Sequence, residues 1–369
     1  MRKKYESYLF LAILVFLSVA FFYLSAMSWG TLSQSKERIL CSLSEPVSEN
    51  QAALLMKQYL ERLEDNIQAD REEESLKFCI WGQKEQVILH NENLSRSMQA
   101  DVILFCGSLE LLFEDCRRPT WDDEQGCLLD EEAAWALFGS TSVEGKEITF
   151  EEEHYTVRRV ISGKDGIAVV PVGRSKVQNV APENGVNAEK EDTEQILNRV
   201  TIKRTESQLV SEQQAAWTNQ FGLSVELLDL EFLRGISGFC VLLVPAVFCG
   251  VFLYKLWKLY QKMDLWRWKG MLLVVMLLSV VLFLLQFQKW VLIPDDYIPA
   301  RWSDFTFWSQ LGEQKRESIK MLLQIQKSVI DNEWMIPFLS GILYSFFSQG
   351  FAIFSTVAFC HLKKMDGRS

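Results

Sequence analysis

The stretch YLFLAILVFLSVAFFYLSAMSW, residues 8–29, runs for 22 residues without a charge. As an α-helix rising 1.5 Å per residue it is about 33 Å long, enough for the hydrocarbon layer of a bilayer. A buried helix of a soluble protein shows a polar face over this length, and this run has no charged one. It reads as a membrane crossing. Residues 1–4, Met-Arg-Lys-Lys, followed by an apolar run could also open a secretory signal peptide. Signal cores, however, are about 7 to 15 residues long and end in a small-x-small site, which Leu24-Ser25-Ala26 matches poorly. The run is therefore expected to remain as an anchor. Three further uncharged runs follow, at 235–254, at 270–285 (lengthened to 268–288 by Trp268, Gln286 and Gln288) and at 334–360. The sequence predicts four spans.

Basic residues are retained on the cytoplasmic side of a span, so their distribution sets the orientation. Residues 1–7, the loop 255–269 and the tail 361–369 hold 11 Lys and Arg against three acids. Both termini are expected in the cytoplasm. Residues 30–234 hold 38 acids and 21 bases and are expected outside it. So acidic a surface disfavours nucleic acid and anionic headgroups and promotes solubility. Five cysteines, Cys41, Cys79, Cys106, Cys116 and Cys127, lie in this region, where a bridge among Cys106, Cys116 and Cys127 is conceivable; no spacing matches a disulfide framework or zinc site.

Within the acidic region, residues 46–66 read as an amphipathic helix opened by a Ser48/Gln51 capping box. Strands are expected at 76–81, 86–89 and 102–105. A short helix at 130–138 has Asp130 as its cap, Glu131 and Glu132 at its positive end and Gly139 as its stop. A β-meander is expected from 147–150, 155–161 and 167–171, with 151–154 as an acidic hairpin tip. Residues 174–194 lack periodicity and read as a mobile loop. Strand, helix and strand follow at 199–203, 206–220 and 224–230, the last leading straight into the second span. In the loop 289–333, Ile319, Leu322, Leu323, Val329 and Ile330 suggest an amphipathic helix, with Trp290, Trp302, Trp308 and Trp334 as interfacial aromatics.

The sequence offers little material for catalysis. Its three histidines, His90, His154 and His361, have no partners at metal-ligand spacing. The stretch 139–146 misses a phosphate loop, because five residues rather than four separate its glycines and Glu147 replaces the magnesium-binding hydroxyl. Asn93-Leu94-Ser95 matches a glycosylation acceptor, a pattern common by chance. No ionisable residue lies inside a span, against a proton relay or ion pathway. Pro245 interrupts the second span, and Gly341, Ser345, Ser348 and Ser355 give the fourth a small-residue side suited to helix contact. The chain is expected to be no enzyme, with no catalytic, metal or cofactor residues.

Residues 127–139, CLLDEEAAWALFG, then Gly145-Lys146-Glu147-Ile148 and residues 155–161, YTVRRVI, resemble the outer-domain signature of MacB-like ABC transporter permeases. That signature is a strand, a helix ending Leu-Phe-Gly, a Val-x-Gly-Lys turn and a Tyr-x-Val strand. The order of parts is also similar: one span, an outer domain of about 200 residues, and three more spans. The resemblance implies an α+β extracytoplasmic domain on a four-helix transmembrane bundle, the domain combining a porter-like α/β part (46–110 and 195–230) with a β-rich insert. Leu137, Phe138, Gly139, Gly145, Lys146, Tyr155 and Val157 are the residues implied for the outer fold. Such permeases pass motion from a separate cytoplasmic ABC ATPase to the outer domain and pair with a second copy or a paralogue. Lys255, Lys258, Lys262, Arg267 and Lys269 are candidates for the inner contact, although positive-inside orientation alone also explains them. The Arg-x-x-Glu-Ile-Gly coupling stretch of that family is absent from 255–269. Two functions therefore stand: a permease-like subunit of an ABC-type export or mechanotransmission complex, or a membrane accessory or sensor whose outer domain binds an envelope protein or peptide.

Overall fold

The computed structural model describes residues 2–34, 38–68, 76–113, 116–164, 166–172, 196–205, 208–263, 265–290, 297 and 305–366. The loop predicted at 174–194 and Trp302 lie outside them. The chain divides into a helical unit (Met1–Lys36, Asp229–Glu313 and Asp331–Ser369) and an α/β domain (Glu37–Leu228 and Gln314–Ile330).

The helical unit contains α1 (Arg2–Gln34), α5 (Leu230–Lys262), α6 (Trp266–Trp290) and α8 (Asn332–Asp366). All four are long and apolar enough to cross a membrane. The first and last helices form an antiparallel pair with polar contacts at heptad spacing. Ser18 Oγ donates to the Ser348 carbonyl at 3.0 Å, and Ser348 Oγ donates back to the Ser18 carbonyl at 2.7 Å. Seven residues along each helix, Ser25 Oγ donates to the Gly341 carbonyl at 2.7 Å. Small side chains let the backbones come this close, so hydroxyls can reach carbonyls already bonded within their own helix. On another side of α8, Ser345 Oγ and Gln349 Nε2 both donate to the Cys240 carbonyl of α5. The small-residue side read from the sequence thus serves two neighbours.

The basic segment 255–269, expected as a loop, is helical at 255–262 and again at 266–269. Lys and Arg are good helix formers, so charge ends the hydrocarbon-facing run without ending the helix.

In the α/β domain, β1 (Arg38–Val47), β2 (Phe78–Asn91), β3 (Arg96–Gly107), β4 (Gly126–Asp130), β5 (Glu147–Phe150), β6 (Glu153–Ile161), β7 (Ile167–Pro171), β8 (Leu197–Lys203) and β9 (Val225–Leu228) form one sheet. Helices α2 (Glu49–Gln68), α3 (Glu131–Phe138) and α4 (Val210–Phe221) accompany it. Strands expected separately at 76–81 and 86–89 are one strand, β2, with a register shift between Lys84 and Val87. Asp101 of β3 holds this bulge: its carboxylate accepts from Gln86 N at 2.9 Å and from Gln83 Nε2 at 3.0 Å. The polar run that looked like a break is a bulge.

The expected meander is also corrected. β5 and β6 form a hairpin, but β7 pairs with β3 and β4, and β4 lies parallel to β6. Pairing runs β2, β3, β7, β4, β6, β5 and returns to β2 at His90↔Thr149, closing a six-stranded ring. β4 is buried at every residue, and its short apolar run has no alternation to mark it as a strand. From the other half of β2 the sheet continues through β8, β1 and β9.

Helix α2 opens with the predicted capping box: Gln51 N donates to Ser48 Oγ at 3.3 Å, and Ser48 N to Gln51 Oε1 at 3.0 Å. Phe78 sits at the centre of an aromatic cluster with Tyr59, Trp217 and Phe221, which ties α2 and α4 to the sheet. In the 289–333 segment, helix α7 (Phe305–Gln324) ends before Val329 and Ile330, which were expected to share its apolar face. Those two residues belong to a stretch that docks on the sheet instead. Arg199 of β8 donates to the Gln326 carbonyl at 2.8 Å, Gln326 Nε2 to Glu85 at 2.9 Å, and Val329 N to Gln83 Oε1 at 2.9 Å.

Candidate functional site

Asp130 and Gly139 cap the two ends of α3. Asp130 is fully buried and ends β4. Its Oδ1 accepts from the N–H groups of Ala133 (3.0 Å) and Ile167 (3.1 Å); its Oδ2 accepts from those of Glu132 (3.1 Å) and Gly166 (3.0 Å). One carboxylate thus caps α3 and fixes the start of β7. The cap was legible in the sequence; the link to β7 was not, because it joins residues 36 and 37 positions apart.

The other end of α3 is held as firmly. Gly139 takes a left-handed conformation (φ 71°), its N–H bonded to the Trp135 carbonyl at 2.7 Å. Buried Asn91, from the end of β2, donates to the Leu137 carbonyl at 3.0 Å and accepts from Leu94 N at 3.2 Å. Leu137 and Val157 are fully buried. Lys146 Nζ lies 5.2 Å from the centroid of the Phe138 ring, a cation–π contact. Gly145 N bonds the Val157 carbonyl and Val157 N the Lys146 carbonyl, each at 2.8 Å. Tyr155 donates its hydroxyl to Glu153 at 2.6 Å; burial first, then Glu153, push its pKa up. Leu137, Phe138 and Gly139 thus form the end of α3, Gly145 and Lys146 the turn before β5, and Tyr155 and Val157 lie on β6.

The acidic hairpin tip carries strain. Glu151 and Glu152, between the paired residues Phe150 and Glu153, have φ of 48° and 66°. Two left-handed residues make a turn that favours Asn-Gly. Lys84 grips it, with Nζ at 2.9 and 3.0 Å from the two Glu151 oxygens and 3.7 Å from Glu49. Glu152→Gly, which leaves the Lys84 contact intact, is expected to raise stability by about 0.5–1 kcal/mol. Denaturant midpoints of the full chain measure this; a loss of stability would mean that the Glu152 side chain supports the turn.

Cys41, Cys79, Cys106, Cys116 and Cys127 are buried and unbridged, so the conceivable bridge among Cys106, Cys116 and Cys127 is not formed. Burial pushes the Cys41 and Cys106 thiols up to about 12 and raises those of Cys79 and Cys127 as well. Such thiols pack as small apolar groups. A cavity of about 350 Å³ opens between α2 and residues 107–110 and 117–121, lined by Met56, Tyr59, Leu63, Phe78, Leu109 and Trp121. Beside it Glu110 pairs with Lys77 at 3.2 Å and with Arg117 at 3.8 Å.

In the helical unit, Trp290 and Trp334, expected at the interface, are buried, while Trp308 is exposed. Trp290 packs against Trp29 with centroids 4.7 Å apart and the rings tilted by 41°, and Trp334 Nε1 donates to Asp331 at 3.1 Å. Arg234, buried near the start of α5, donates from Nε to the Leu32 carbonyl at 2.9 Å, satisfying an end carbonyl of α1. Nothing local in the sequence announces that contact. Of the five candidate inner-contact bases, Lys255 lies 4.5 Å from the Phe359 ring centroid and Lys269 5.5 Å from that of Tyr260. Lys258, Lys262 and Arg267 are exposed.

No protein-family model matches the chain, and no curated protein matches it. Among solved structures, it is similar to the periplasmic region of MacB from Actinobacillus actinomycetemcomitans (16% identity, TM-score 0.35, over 52% of this chain and 89% of that one). It is also similar to the extracellular domain of the noncanonic ABC-type transporter YknZ from Gram-positive bacteria (13% identity, TM-score 0.32, over 51% and 98%).

Proposed function

We propose that this chain is a permease-like subunit of an ABC-type export or mechanotransmission complex, with both termini cytoplasmic and the α/β domain outside. It acts there on substrate or partner proteins. ATP hydrolysis belongs to a separate ATPase, and a second permease copy or paralogue completes the assembly. The observation that carries this reading is the shortness of the joints between sheet and spans. Asp229 alone separates β9 from α5 and caps that helix, accepting from Phe232 N at 2.9 Å. The stretch docked on Gln83, Glu85 and Arg199 is followed directly by Asp331 and α8. In this role, motion of either helix is expected to reach the sheet through these short covalent joints.

A second reading, a membrane accessory or sensor whose outer domain binds an envelope protein or peptide, is favoured by the α5–α6 connection. Three residues leave no room for a separate coupling helix. Purification of the full chain from its native membrane in mild detergent separates the two. An ABC ATPase in stoichiometric yield is expected; its absence, with an envelope protein in its place, would establish the second reading. A reporter inserted at the 151–152 turn is expected to respond only outside the cytoplasm.

A further inference from the structure

The α5–α6 hairpin end concentrates five bases, Lys255, Lys258, Lys262, Arg267 and Lys269, against one acid, Asp264. Lys255, Lys258 and Lys262 follow i, i+3, i+7 spacing and so share a face of α5. Among the described residues no carboxylate pairs with Lys258, Lys262 or Arg267, and all three are exposed. Aromatics surround them: Trp257 stacks on Tyr260 at 5.7 Å, and Trp266 and Trp268 are 80% and 53% exposed. Exposed tryptophans beside lysines are the composition of the headgroup layer.

Length places them there. α5 has 33 residues, about 50 Å of helix, of which the uncharged run 235–254 fills the roughly 30 Å hydrocarbon core. Residues 255–262 then project about 12 Å, through a headgroup layer some 5–8 Å deep. The hairpin turns back immediately beyond it. Lys255 and Lys258 stand at phosphate level, Lys262 about 4–7 Å beyond it with a long side chain that can reach back to the phosphates, and α6 begins nearby with first-turn N–H groups that favour an anion. Exposed positive charge flanked by exposed tryptophans matches an anionic lipid surface in both charge and polarity.

We infer that the α5–α6 hairpin is a binding site for anionic phospholipid headgroups, with Lys258, Lys262 and Arg267 contacting the phosphates and Trp266 and Trp268 seated among the glycerol groups. The inference needs the spans but no ATPase, so its fate is separate from that of the proposed function.

The test uses the full chain in neutral detergent, titrated with short-chain phosphatidylglycerol or phosphatidylcholine and read by native mass spectrometry. Phosphatidylglycerol is expected to bind in preference. Lys258→Gln/Lys262→Gln/Arg267→Gln should weaken it about 100-fold, roughly fivefold per charge, and leave phosphatidylcholine unchanged. Lys258→Arg/Lys262→Arg/Arg267→Lys should restore the preference, and Lys57→Gln/Lys203→Gln in the α/β domain should not alter it. Equal binding of the two lipids by the native chain, or undiminished phosphatidylglycerol binding by the triple Gln variant, overturns the inference. So does loss of a co-purifying protein from that variant with its lipid preference intact, which would make the hairpin a protein dock.

Discussion

Asp130→Ala is expected to destabilise the α/β domain by about 3–5 kcal/mol, a large share of the roughly 5–15 kcal/mol that holds an ordinary domain together. The carboxylate accepts four backbone N–H groups, and alanine leaves all four without it. Loss of a helix cap costs about 1 kcal/mol, and each buried donor left unsatisfied about 1–3 kcal/mol. Relaxation and water entry recover part of that sum. Asp130→Asn should fall between the two, since its amide offers one oxygen and turns an N–H₂ toward donors. Glu131→Ala, which touches only the helix dipole, should cost no more than about 1 kcal/mol. Urea unfolding of the full chain in detergent, followed by proteolysis of the α/β domain, provides the comparison. A change below about 1 kcal/mol for the alanine variant would show that this carboxylate does not hold β4, α3 and β7 together.

Gly238→Ala should be as damaging in the helical unit. A Cβ there would lie 2.0 Å from the Trp290 carbonyl oxygen and 2.9 Å from Trp29 Nε1. The first is backbone at the end of α6 and cannot yield as a flexible side chain would. Overpacking costs about 1–3 kcal/mol when neighbours can shift; here α6 must move bodily, so about 3 kcal/mol or more is expected. Gly250→Ala on the same helix meets nothing within 4 Å and should be neutral or slightly stabilising, by up to about 1 kcal/mol. Tryptophan emission of the detergent-solubilised chain should change with Gly238→Ala, because Trp29 and Trp290 lose their ring contact. Equal melting temperatures for the two variants would contradict the packing described.

What the sequence made legible is local or periodic. The four apolar helices announced themselves by length, and the Ser48/Gln51 box, the Asp130 cap and the Gly139 stop by spacing within one helical turn. Gly341, Ser345 and Ser348 could be read as a contact face, though not that it would serve both α1 and α5. Long-range features stayed hidden. Closure of the ring through His90 and Thr149, β4 between β6 and β7, the bond from Arg199 to Gln326 and the bond from Arg234 to Leu32 each join residues separated by tens to hundreds of positions. Residues 255–269 misled for another reason: charge marks where hydrocarbon ends, and helices are free to continue past that point.

The Ser25–Gly341 bond spans 316 positions, nearly the whole length of the polypeptide. During synthesis, then, α1 is made long before α8, and its hydroxyls lack these carbonyl partners until α8 has followed. A product lacking α8 would leave that polar stripe of α1 unmatched, so the pairing of the two helices is a late event in the making of the bundle.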